Sequence, residues 1–371
     1  MNIMQLVLND SDNISNLFHE IAVACSNTEH NFYYVFLSGK PSNLTQQYLF
    51  GKNIQFHYFQ FSAKQLKGFR RFFFLSKVIH FIQHKKIDVI ISHQWKATNF
   101  IGFCSKFVAF KKQIAVFHGK DILQRYNRQL FVKYFLSKTE FVAVSQFVKN
   151  DLISLPYAGI KEQKVHVIYN GVDVEKIKQE QFSKEEARKQ IGLHLDDFVF
   201  GNVARLIPLK GQKILLHAFA QLKPNQKQKL VIIGDGRIKN ELIELSKKLG
   251  IENNVIFTGA LPSAFRYMTA FDTFILSSLV EGLGVVLLEA MAAKIPIIGT
   301  EAGGIPEVLD SVGILVPSNN IEALQNAMNT IYHASIEERA YIGEQLYKRL
   351  EEKFSIHQFH QAYSNLILSN I

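Results

Sequence analysis

The sequence predicts an α/β fold built on parallel sheets and divided into two domains. Three observations predict it. Residues 273–308 read as strand, loop, helix, strand: a β-rich apolar run over 273–276, helical character from about 284 to 293, and a second strand over 295–299. That succession is the unit of a parallel sheet. Strand-like and helical segments alternate along the rest of the chain as well. Finally, 371 residues, 47% hydrophobic and 20% charged, suffice for about two domains of ~100–200 residues with buried cores, which excludes a disordered chain.

Taken in order, NIMQLVLND is a first strand, and residues 11–26 read as a helix capped by Ser11 or Asn13. The opening residues lack a basic start and turn polar after one strand's length, so no signal peptide is expected. No uninterrupted apolar run of about 18 residues suggests a spanning helix. Asp10 and Asp12 form an Asp-x-Asp pair, a spacing that can hold a divalent metal. One residue past a strand, Asp12 suits a helix N-terminus better, and no metal is expected. NFYYVFLSG and NIQFHYF are further strands. FRRFFFLSKVIHFIQHKK, 69–86, is an amphipathic helix with Phe72, Leu75, Ile79 and Ile82 on its apolar face and Arg70, Arg71, Lys85 and Lys86 at its ends. It precedes a buried strand, IDVIISH, and NRQLFVKYFLSK adds a second basic, aromatic helix. Such helices either pack on the sheet or lie against an anionic membrane surface. QIAVF leads into His118-Gly119, a histidine at the carboxyl end of a parallel strand, where open α/β sheets bind ligands.

After VHVIYNGVD, residues 176–197 are charged and poor in aromatics, as a linker with one short helix would be, and a new fold begins at Phe198. There a strand ends near Ala204, a loop carries Arg205 and Lys210, and a helix follows Gly211. KLVIIGDG is a buried strand ending in Gly234-Asp235-Gly236, and NVIFTGAL is another, ending near Gly259. Within 273–308, Glu281 sits in the loop and Glu289 eight residues on, while Gly282 and Gly284 flank the turn. The backbone N–H groups from Gly284 through Val285 to Val286 would open a helix N-terminus, which carries partial positive charge and suits a phosphate.

Charge and cysteines bound the partners. Residues 1–180 hold 23 Lys and Arg against 12 Asp and Glu, and the remainder 19 against 20, so the basic surface belongs to the first half. Nucleic acid would be drawn to it, yet no recognition motif accompanies it, and none is expected as partner. Cys25 and Cys104, two lone thiols without metal-ligand spacing, fit a reducing cytosol.

E-G-L-G-V-V-L-L-E-A-M-A-A, followed by Gly303-Gly304-Ile305-Pro306-Glu307, resembles the Glu-x7-Glu signature of retaining family 4 glycosyltransferases. R-L-I-P-L-K-G over 205–211 is similar to that family's diphosphate clamp, and His118-Gly119 to its N-domain histidine pair. The likeness is specific over 198–317 and looser before residue 165. One departure stands out: Asp10-Ser11-Asp12 replaces the family's glycine-rich turn.

The resemblance implies a GT-B architecture, two Rossmann-like domains facing each other across a cleft. They would be an acceptor-side domain over 1–175, the linker over 176–197, a nucleotide-sugar domain over 198–354, and a terminal helix over 355–371 returning to the first. It implies a hexosyl transfer from a UDP- or GDP-linked sugar to an acceptor hydroxyl with retention. Arg205 and Lys210 would hold the diphosphate with the helix start at Gly282, Gly284, Val285 and Val286. Glu281 would orient the sugar and Glu289 accept the ribose hydroxyls. His118 would meet the sugar, Gly234 and Gly259 would line the donor site, and Asp10 would face the acceptor. No cofactor is implied. A glycan or lipid-linked acceptor, bacterial surface polysaccharide such as lipopolysaccharide or capsule, and a cytoplasmic location in contact with the inner membrane face follow by analogy. Two other classes remain open on the residues: a non-catalytic nucleotide-sugar-binding subunit, and a nicotinamide-dependent oxidoreductase, although no strand is followed by a complete GxGxxG.

Overall fold

The computed structural model describes residues 1–9, 15–26, 30–40, 42–48, 50–62, 65–66 and 71–369. Asp10, Ser11, Asp12, Asn13 and Arg70 lie outside them. The chain divides into two compact units, one of residues 1–170 with 356–371 and one of residues 171–355.

The first unit is a seven-stranded parallel sheet in the order β3-β2-β1-β4-β5-β6-β7. Its strands are β1 (Asn2–Val7), β2 (Asn31–Phe36), β3 (Ile54–Tyr58), β4 (Val89–His93), β5 (Lys112–Phe117), β6 (Glu140–Ala143) and β7 (Val165–Val167). The inner strands β1, β2, β4, β5 and β6 are buried along nearly their whole length, covered on both faces as parallel strands are when helices form the crossovers, whereas the edge strand β3 is not. On one face α1 (Ser15–Ser26) packs with the strands and with the terminal helix α15 (Ile356–Leu368), joining Phe18, Ile21 and Cys25 to Phe359, Tyr363 and Leu366. On the other, α3 (Arg71–His84) and α4 (Gln94–Cys104) cover Met4, Leu6 and Ile90 with Leu75, Val78, Ile82, Phe100 and Ile101. Phe72, expected on the inner face of α3, is 43% exposed, and Phe73 beside it 78%. The other expected positions do face inward, Leu75 and Ile82 buried and Ile79 partly so, and Val78 joins them. Lys112 is buried at 7% exposure. It donates to the carbonyl oxygen of Leu366 and, at 2.9 Å each, to the carbonyl and Oγ of Ser369, satisfying the end of α15.

The second unit is a six-stranded parallel sheet, β10-β9-β8-β11-β12-β13. It comprises β8 (Phe198–Val203), β9 (Gln228–Ile233), β10 (Val255–Gly259), β11 (Thr273–Leu276), β12 (Ile297–Thr300) and β13 (Ile314–Val316). The helix of the 273–308 unit, α11, spans Val285–Ala292, and the strand after it starts two residues later than expected, because Pro296 cannot donate to the ladder. Residues 176–197 do not form a free linker. They carry most of α7 (Val174–Glu180) and all of α8 (Lys184–Gln190), and α8 is anchored by Arg188, 1% exposed. Its guanidinium donates to the carbonyls of Ala270, His194, Leu195 and Asp197 and pairs with Asp272 at 2.7 Å. A charged composition therefore concealed an internal anchor. No helix among the described residues is long and apolar enough to cross a membrane.

Candidate functional site

In the second sheet the strand order reverses between β8 and β11, so the loops leaving their carboxyl ends part and open a crevice there. Those two loops bear the predicted charges. The loop after β8 places Lys210 at the end of a 3₁₀ turn (Pro208–Lys210), and the loop after β11 holds Glu281. Lys210 Nζ donates to Glu281 Oε2, and both side chains are about one-sixth exposed. Ser278 Oγ, fully buried, donates to the same oxygen at 3.1 Å. Both donors thus meet Oε2.

The two loops are tied by their backbones. Leu279 N–H donates to Leu209 O at 2.8 Å, and Ser277 Oγ to Lys210 O at 3.0 Å. Two glycines make the approach possible. Gly211, φ +68°, has no space for a Cβ, which would lie 1.9 Å from Ser277 O. Gly303, φ +60°, would place one 1.8 Å from Glu281 O. Both conformations disfavour any side chain even before the collision.

Around this pair, Arg205 is exposed, its guanidinium without a hydrogen-bond or ion partner among the described residues. Gly234 follows β9 and donates its N–H to Gly259 O, the end of β10, at 2.9 Å, which joins those two predicted positions at one edge of the site. Gly282 lies in the Glu281 loop, and Gly284, φ +90°, is the N-cap of α11. The cap has no side chain to fill the helix start, so the N–H groups of Val285 and Val286 have no partner among the described residues. Glu289 lies one turn further along α11, partly exposed and with no hydrogen-bond or ion partner among the described residues. Desolvation by the surrounding protein pushes its carboxyl up to about 7.

The first sheet reverses order between β1 and β4. At that end, His118 follows β5 directly and is partly exposed, and desolvation lowers its imidazole to about 4. Its Nε2 lies 3.4 Å from Nδ1 of His93, the fully buried last residue of β4. The two rings are inclined by 22° with centroids 5.7 Å apart, and Phe18 packs on His93 at 4.1 Å. Asp10, predicted near the acceptor, lies outside the described residues. No three His, Cys, Asp or Glu residues come together as a metal site among those described.

Sequence reading missed Ser278 and His93. Each had a signal. Ser278 stands three residues before Glu281, and His93 ends its strand next to the strand that His118 follows.

Comparison with known proteins bears on the family and the fold. The family model described as Glycosyltransferase Family 4 matches residues 14–176, and that described as Glycosyl transferases group 1 matches residues 183–349. An uncharacterized glycosyltransferase of Methanocaldococcus jannaschii is 30% identical over 66% of this chain, and the match spans 62% of that relative's length. The N-acetyl-alpha-D-glucosaminyl L-malate synthase of Bacillus anthracis is 25% identical over 91% of this chain and 90% of its own. Among solved structures, Anabaena HepE in complex with UDP superposes with a TM-score of 0.84 at 22% identity, covering both chains fully; it is also known with UDP-glucose. That likeness establishes the GT-B fold, and the relatives displace the oxidoreductase reading. With the two family models covering its two halves in turn, the chain is a family 4-like glycosyltransferase.

Proposed function

We propose that the protein moves a hexosyl unit from a nucleoside-diphosphate sugar to an acceptor hydroxyl, with retention at the anomeric carbon. The observation that carries this reading is the Lys210–Glu281 pair at the point where the second sheet reverses its order. In the free protein the two charges neutralise each other. An arriving diphosphate competes for Lys210 and leaves Glu281 to accept hydrogen bonds from the sugar hydroxyls. When the bond from C1 to the diphosphate breaks, its electron pair stays on the leaving group. Lys210, Arg205 and the N–H groups of Val285 and Val286 would meet that growing charge. Glu289, ionised, accepts from the ribose hydroxyls, and neutral His118 contacts the sugar. These donors make a metal unnecessary for the leaving group.

The UDP and UDP-glucose complexes of the Anabaena relative favour UDP over GDP. For the acceptor we propose a lipid-linked glycan at the inner face of a membrane, in bacterial surface polysaccharide synthesis such as that of lipopolysaccharide or capsule. Exposed Phe72, Phe73, Phe107 and Tyr134, interspersed with exposed Lys77, Lys106 and Lys133, support it. Each such charge near an anionic leaflet contributes about 1 kcal/mol.

The test is calorimetric titration with UDP and with GDP in EDTA. Binding of one nucleotide without metal is expected. A folded protein that binds neither would return the non-catalytic reading to the front.

A further inference from the structure

His93 is fully buried, and the proposed chemistry does not use it. Its two ring nitrogens have unlike surroundings. Nδ1 faces His118 Nε2 at 3.4 Å, while Nε2 is buried without a hydrogen-bond partner among the described residues. Neither imidazole carries a charge at neutral pH, because burial lowers both, with a smaller contribution from His118 to the lowering of His93. Each neutral ring holds one proton. The contact between them therefore has one N–H and one bare nitrogen, and two arrangements satisfy it. If His118 Nε2 donated, the proton of His93 would sit on Nε2, an N–H buried with no acceptor. If His93 Nδ1 donates, Nε2 is a bare lone pair. Buried orphan N–H groups are rarer in folded proteins than under-used acceptors. Phe18 offers that N–H no substitute acceptor, since its ring lies at only 36° to the imidazole and not edge-on beneath it.

We infer that His93 is a positioning residue: its Nδ1–H donates to His118 Nε2, fixing His118 as the Nδ1–H tautomer and presenting that N–H as a hydrogen-bond donor to the oxygen of the sugar. The packing suits this task. His93 is held from behind by Phe18, and β4 and β5 are paired in parallel, with His93 opposite Val116, so the donor sits on a rigid element two residues out of step with His118. An isolated imidazole interconverts between tautomers in water; a partner on one nitrogen decides which the other will be.

The catalytic consequence rests on the proposed transferase reading, but the tautomer does not. The experiment accordingly has two readouts. In the first, protein labelled with 15N-histidine is examined by NMR without substrate, with His118 assigned by its loss in His118→Gln. The expected state is Nδ1–H, shifting toward Nε2–H in His93→Phe. An Nε2–H signal for His118 in the unmodified protein would overturn the inference whatever the reaction proves to be. In the second, His93→Phe is expected to lower kcat by about tenfold or more with little change in KM for the donor, as when a partner orienting a functional imidazole is lost. His93→Asn carries an N–H donor the same number of bonds from Cα as Nδ1 and should recover most of that loss together with the tautomer. Equal kcat in the unmodified and His93→Phe proteins, or a loss that His93→Asn does not recover, would also overturn it. A protein with no transfer activity at all would sink the transferase reading, and the first readout would still decide the tautomer.

Discussion

Lys210 and Glu289 pose opposite electrostatic problems. Removal of Lys210 withdraws charge from the leaving diphosphate, while Ser278 Oγ still donates to the Glu281 carboxylate. Lys210→Ala is expected to lower turnover by at least about 10²-fold, as for deletion of one transition-state donor. Unchanged turnover, with folding checked by circular dichroism, would take Lys210 out of the chemistry. Glu289 has no partner among the described residues and a carboxyl pushed up to about 7. Binding a ribose diol through both oxygens needs the ionised form, so nucleotide affinity should rise as pH passes upward through about 7 and become flat in Glu289→Gln. The sign for stability is the reverse. Between the ordinary carboxylate range and pH 7 the folded state binds more protons than the unfolded one, so the nucleotide-free protein loses stability as pH rises through that window. Thermal melts from pH 5 to 8 should slope down less in Glu289→Gln; parallel slopes would show that Glu289 is not the group responsible.

At the level of elements, β8, β11 and α11 were legible because each signal was local. Apolar runs end at a glycine or a charged loop, and Gly284 stops the strand-loop register where the helix starts. The anchoring of α8, though not the helix itself, was illegible for the opposite reason. KEEARKQ is what a solvated linker looks like, and only long-range partners distant in sequence, Ala270 and Asp272, turn Arg188 inward. The same holds within the site: Arg205, Lys210, Glu281, Glu289 and His118 were singled out by resemblance to a family's motifs, whereas Ser278 and His93 make their contacts with side chains that no motif records. Arg188 therefore gives the element-level prediction. Arg188→Ala leaves several carbonyls unmet and Asp272 with only Lys184 and the Val199 N–H. It should cost about 3–5 kcal/mol, the range for breaking a buried pair, measured by denaturant unfolding of the whole chain. A loss below 1 kcal/mol would mean that α8 is held by its apolar contacts alone.

On the scale of the whole molecule, the first unit is assembled from two distant pieces of chain, residues 1–170 and 356–371. Phe359, Tyr363, Leu366 and Ile367 are buried against α1, and His360 meets Glu20 at 2.8 Å. Truncation after Ser355 should lower the melting temperature of the first unit and increase binding of a hydrophobic dye, while the 171–355 unit keeps its own melting transition. A first unit with an unaltered transition would show that α15 is dispensable to it. The chain leaves and re-enters that unit at neighbouring points, for Val172 pairs with Ser355 in a parallel bridge and its N–H reaches Phe354 O at 3.0 Å.

This arrangement sets an order of events on the ribosome. The apolar side of α1, with Phe18, Ile21 and Cys25, is synthesised first, and the helix that covers it comes last. At 5–20 residues per second, translation of residues 171–355 holds that surface uncovered for about 10–40 s. The nascent first unit must wait through that interval with a core one helix short, although its sheet is complete long before.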